Sequence, residues 1–165
     1  MRLLALFCKR WPFRQAVGLA GALLLTASTL AWAEDVAVVV HPQVPADNLT
    51  LAQVRKLLLG DRQFWTSDLR VTLLVRAPVA HERAVVLKTI YQMSEAQFRQ
   101  YWIAKVFRAE ISAGPKIVYS NDMAAELAAG IPGAITFVDA ARVPEGLKVL
   151  KVDGRLQGEA GYPLR

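Results

Sequence analysis

Few residues in this chain have the type and spacing to do covalent or metal chemistry. The two histidines, His41 and His81, stand 40 positions apart. No HxxxH, HExxH or thiolate pattern gives either of them further ligands, so no metal site is expected. Thr50 and Ser94 are each followed three residues later by Gln, at Gln53 and Gln97, ahead of apolar helical repeats. That spacing makes them helix caps rather than nucleophiles. No hydroxyl is paired with a base and no two carboxylates stand in a working arrangement, so the chain is not expected to be an enzyme or to carry a cofactor. What remains for binding chemistry is Arg76, His81, Glu82 and Arg83 after a strand-like run, and Ser120-Asn121-Asp122 at a helix start.

These residues need elements to position them. The run VAVVVHP from Val36 is apolar and β-branched and stops at a proline, the pattern of a strand buried on both faces. His41 follows it, and so is expected at the C-terminal edge of the sheet, where ligands of open α/β folds collect. A helix begins after Thr50, with Leu51, Val54, Leu57 and Leu58 on its apolar face, and Gly60 supplies a left-handed stop. RVTLLVRAP is a second strand run, and HERAVVLKTIY a helix with Val86, Leu87 and Ile90 inward. The helix after Ser94 carries Phe98, Tyr101, Trp102 and Val106 as its buried stripe. KIVYS is a short strand, DMAAELAAG a short helix capped by Ser120, and IPGAITFV and LKVLKV are the last strands. This alternation predicts an α/β single domain with a mostly parallel sheet and helices on both faces.

The chain opens with Arg2, Lys9, Arg10 and Arg14, runs apolar from Ala16 through Ala27, and reaches Ala31-Trp32-Ala33. A basic start, a short apolar stretch and a small-residue site together predict a cleavable export signal over residues 1–33. Cleavage leaves 132 residues, enough for one domain with a core of its own. Four of the 20 Lys and Arg and none of the 14 acids lie in residues 1–33. The remainder therefore holds 16 basic and 14 acidic side chains, a net +2 against +6 for the whole chain. Without a basic stripe there is no footprint for nucleic acid. The only cysteine, Cys8, falls within the signal, so disulfides and thiolate chemistry are not expected in the exported domain. The Gly-rich, polar end, residues 155–165, is expected to be a flexible tail.

The order and spacing of these segments resemble the phosphate-type periplasmic solute-binding proteins, in the second half of that family's chain. The matching pieces are VVVHP, LTLAQVRKLLLGDRQFW, VRAPVAHERAVVL, EAQFRQYW, IPGAITFV and GLKVLKVDG, over most of residues 36–154. The resemblance implies one lobe of a type 2 periplasmic binding protein over residues 34–154, a fold that in pairs closes on its ligand by hinge motion.

In that family an Arg at the end of the second strand is followed by a Gly-Ser-Gly-Thr loop at a helix N-terminus, which donates hydrogen bonds to phosphate. Arg76 matches the Arg, whereas Val79, Ala80, His81 and Glu82 stand where the loop would be. The hydroxyl donors are missing, and Glu82 sets a carboxylate in the first helical turn, where it opposes an incoming phosphate. The ligand-binding candidates are therefore Arg76, His81, Arg83 and Ser120. Against them stand plainer readings: a salt-bridged Arg76, exposed polar side chains at a helix start for His81 and Arg83, and a simple cap for Ser120. Trp65, in the polar loop DRQFWTSD, is the candidate for contact with a partner. The expected function is that of a non-enzymatic periplasmic solute-binding-like protein, resembling the substrate-binding component of phosphate ABC transporters, that takes a small anion or another solute. The alternative is an envelope interaction module that kept the fold and lost the ligand, docking on a membrane transporter or sensor protein.

Overall fold

The computed structural model describes residues 35–165, so the signal expected over residues 1–33 lies outside the described residues. Its first strand, β1 (Val36–Val40), buries all five residues of VAVVV. β2 (Asn48–Leu49) leads into α1 (Leu51–Leu58). At the start of α1 the Thr50 hydroxyl accepts from the Gln53 N–H, and the Gln53 side chain accepts from the Thr50 N–H. This reciprocal cap satisfies two backbone donors that a helix start otherwise leaves open. Gly60, at φ +70°, ends the turn that follows. β3 (Thr72–Arg76) precedes α2 (His81–Val86), which continues as a π-helical turn through Tyr91 and stops at left-handed Gln92. α3 (Glu95–Phe107) repeats the reciprocal cap with Ser94 and Gln97. β4 (Lys116–Val118), α4 (Asn121–Gly130), β5 (Ala134–Asp139), β6 (Lys148–Val149) and β7 (Lys151–Val152) complete the chain.

Five strands form one sheet in the order β4-β3-β5-β1-β6, while β2 and β7 pair in parallel beside it. β3 runs parallel to both β4 and β5, and β1 runs antiparallel to both β5 and β6. Four of the five strands thus point one way, as expected, with β1 reversed between two of them. The reversal corrects the expected place of His41. Its N–H donates to the carbonyl of Ala134 at the start of β5, which puts His41 at the opposite sheet edge from Arg76.

Alternation along β1 divides the core in two. Val36, Val38 and Val40 join Leu57, Leu58, Ile90, Phe98 and Trp102 under α1, α2 and α3. Ala37 and Val39 join Ala124 and Ala128 of α4 on the other face. Helices therefore cover both faces, which is why a strand in the sheet interior can be apolar at every position. Each fully buried Leu or Ile contributes about 1.5–3 kcal/mol.

Two expectations about burial need correction. Val106 is exposed, because the inward stripe of α3 runs through Phe98, Trp102 and Lys105. The Lys105 ammonium is held by the Leu59 carbonyl (2.8 Å) and Asp61 (2.6 Å), so a cation can occupy the position. Residues 155–165 are not a loose tail. Tyr162 and Leu164 are buried, the Tyr162 hydroxyl donates to the Val36 carbonyl (2.7 Å), and the Val36 N–H donates to Leu164 (3.0 Å). Two apolar side chains and two buried hydrogen bonds outweigh the chain entropy that a Gly-rich, polar composition suggested.

Candidate functional site

Arg76 ends β3 in register with Val118 of β4, and the N–H of Ala77 donates to the Val118 carbonyl. The guanidinium therefore stands at the C-terminal edge of the three parallel strands, the edge at which open α/β sheets receive ligands. It is buried, with its Nε 3.7 Å from the Glu82 carboxylate and side-chain exposures of 10% and 8% for the two partners. At that distance the two groups attract without a hydrogen bond. Nε and Nη1 of Arg76 have no hydrogen-bond partner. Ala80 is the N-cap of α2 and supplies no side-chain hydrogen bond to the helix start.

Arg83 is a structural clamp, which corrects its expected place among exposed, ligand-facing side chains. Only 3% of the residue is exposed. Its Nε and Nη2 donate to the two carboxylate oxygens of Glu95 at 2.6 and 2.8 Å, and its Nη1 donates to the Arg76 carbonyl at 2.9 Å. The guanidinium also lies 4.6 Å from the centre of the Phe98 ring. A two-pronged carboxylate grip of this kind fixes geometry as well as charge. The Arg83 hydrogen bonds hold the Glu95 carboxyl below the usual carboxylate range, against a smaller opposing effect of burial. Arg83 thus ties the end of β3, which carries Arg76, to α3.

The other candidates collect at the same edge. His81 is exposed at the start of α2 and lines a cavity of about 60 Å³ with Asp35, Glu82 and Asp139. Asp35 accepts from the Gly158 N–H (2.6 Å) and pairs with Arg165 (3.3 Å), and Asp139 caps the short turn after β5 through the Ala141 N–H. Sequence reasoning missed both acids. The available signal was their position at the two ends of apolar strand runs. Among the described residues no group of three or more His, Cys, Asp or Glu is arranged to hold a metal ion. Ser120 follows β4 at this edge, and its hydroxyl accepts from the Met123 N–H at 3.0 Å, so the oxygen serves the helix start.

Trp65 is not a surface aromatic. It is 6% exposed, and its indole N–H donates to the Gly133 carbonyl at 2.9 Å. Its polar neighbours suggested a loop open to a partner, yet the ring pins residues 61–71 onto the start of β5. Gly133 makes that seat possible, since it has φ +75° and a Cβ there would stand 2.1 Å from the Arg70 carbonyl.

Solved structures of phosphate-transport proteins share this architecture. The chain aligns with a phosphate ABC transporter substrate-binding protein with bound phosphate from Clostridium perfringens at 18% identity, with a TM-score of 0.58 over 73% of this chain and 45% of that one. An ABC-type phosphate transport receptor from Vibrio cholerae gives 18% identity and a TM-score of 0.58, over 73% of this chain and 47% of the receptor. PstS from Borrelia burgdorferi gives 16% identity and a TM-score of 0.61, over 79% of this chain and 53% of PstS. The fold is that of one lobe of a periplasmic binding protein. The chain spans about half the length of each of these phosphate-transport proteins, and at this identity the likeness is one of fold. No protein-family profile and no curated protein sequence matches it. Among the described residues no helix is long and apolar enough to cross a membrane.

Proposed function

We propose that this protein is a non-enzymatic, exported solute-binding domain in which Glu82 occupies the charge position of a bound phosphate, so that phosphate is not its ligand. The observation that carries this reading is the buried Arg76–Glu82 pair at 3.7 Å. One guanidinium charge is met by one internal carboxylate, and a phosphate entering beside it would meet like charge at close range in a poorly screened setting. Arg76 nevertheless keeps two buried N–H groups without acceptors, and an unmet buried donor is costly. A small solute that offers an oxygen acceptor but carries less negative charge than phosphate suits both features. His81 and Ser120 flank that position at the same sheet edge, and the periplasm is the compartment that both the leader-like N-terminus and the fold suggest.

The interaction-module reading, which follows from the altered loop and a single lobe's length of chain, named Trp65 as its contact, and Trp65 is buried. Solute binding is therefore the stronger reading. Its test is a thermal-shift screen of the purified protein against inorganic phosphate, acetate, neutral amides and other small metabolites, with Arg76→Ala in parallel. The reading expects stabilisation by a neutral or singly charged solute that disappears in Arg76→Ala. Stabilisation by phosphate alone, or by no solute in the screen, would overturn it.

A further inference from the structure

Near the other end of β3 from Arg76, a cavity of about 190 Å³ opens between α1, the 61–73 segment and the connection from α3 to β4. Thr72 and Leu73, the first residues of β3, line it, whereas Arg76 closes the strand on the far side. The site is therefore independent of the one argued above.

Its walls differ in character. Leu57, Trp102 and Ile111 form an apolar side, and all three are buried. Arg62, Arg70 and Lys116 supply cations, and no Asp or Glu lines the cavity. Two of these cations are held in place: Arg62 donates to the carbonyls of Phe64 and Trp65 at 3.0 Å each, and Arg70 donates to the Ser112 hydroxyl at 2.9 Å. Among the described residues none of the three forms an ion pair. Three positive charges without a carboxylate, set against an apolar wall, make a site complementary to a molecule with a negative head and an apolar body. The volume lies below the roughly 300–1,000 Å³ of sites for drug-sized ligands, so the occupant is compact.

We propose that this cavity binds a small organic carboxylate, its head toward Arg70 and Lys116 and its apolar part against Trp102 and Ile111. The test is calorimetric titration of the purified protein with benzoate, with benzamide as the neutral counterpart of the same shape. The proposal expects benzoate to bind with a Kd of about 1 mM or tighter. Benzamide should bind roughly tenfold more weakly, and Arg70→Gln and Lys116→Gln should each weaken benzoate several-fold, on the order of one lost charge-assisted contact. Lys151→Gln, an exposed lysine on β7, is the control and should leave benzoate affinity unchanged. If Arg70→Gln does not fold, Lys116→Gln reads the same contact from the other rim. No benzoate binding, equal affinity for benzamide, or indifference to both rim substitutions would overturn the proposal. None of these results bears on Arg76 or Glu82.

Discussion

Arg83 donates through its Nη1 to the backbone carbonyl of Arg76 at 2.9 Å, while its other two nitrogens grip the Glu95 carboxylate. One buried guanidinium thus fixes the backbone that presents another. The consequence is a division of labour between neighbouring arginines, with Arg83 structural and Arg76 left with open donors.

Removing the clamp should therefore cost stability before it costs binding. Arg83→Leu leaves the Glu95 carboxylate and the Arg76 carbonyl without their donor, and should destabilise by about 3 kcal/mol. In a domain of this size that is a fall in Tm on the order of 10 °C, read by calorimetry. An unchanged Tm would mean that the clamp is not formed in solution.

The same pair sets an acid dependence. Because Arg83 holds the folded-state pKa of Glu95 below its ordinary value, the stabilisation is present above the unfolded-state pKa and is lost as pH falls through the folded-state pKa. Wild-type Tm should drop on acidification through the carboxylate range, and Glu95→Gln, lower in Tm at neutral pH, should show a shallower drop. Parallel curves for the two proteins would contradict this.

Trp65→Ala should act on the fold itself. It removes a nearly buried ring and the hydrogen bond to Gly133, and should cost about 3–5 kcal/mol. Trp65→Phe, which keeps most of the packing, should cost less. Urea denaturation midpoints would order the three proteins. An Ala variant as stable as wild type would return Trp65 to the surface.

Deleting residues 157–165 should destabilise the whole sheet rather than trim a loose end. The deletion removes Tyr162 and Leu164 from the core and unpairs both backbone groups of Val36. A loss of several kcal/mol is expected from two buried side chains at about 1.5–3 kcal/mol each. A truncated protein with wild-type Tm would show that the segment does not pack.

How much of this was legible follows the range of each interaction. Both reciprocal caps, at Thr50–Gln53 and Ser94–Gln97, are local, and both helices start where those residues require. The alternation of strands and helices gave the fold class for the same reason. The direction of β1 could not be read, because VAVVV presents the same apolar face in either sense. His41 was therefore assigned to the wrong edge. Trp65 and Gly133 are 68 residues apart, so nothing in DRQFWTSD announced a buried indole. Arg83 and Glu95 meet across a turn between helices, a contact without a sequence period. The terminal Tyr162-Pro163-Leu164 did carry an apolar signal within its polar surroundings, and composition masked it. At the site, the sequence marks Glu82 as a departure from the family loop, and the side chain lies beside Arg76.

That pairing can be tested by removing one charge. Glu82→Gln keeps the shape of the side chain and frees Arg76 for an anion, so calorimetric titration with inorganic phosphate should show weak or no binding to wild type. The variant should gain at least about tenfold in affinity, as expected when a close like charge is removed. Micromolar phosphate binding by the wild-type protein, or no gain in Glu82→Gln when the variant is folded, would contradict the account.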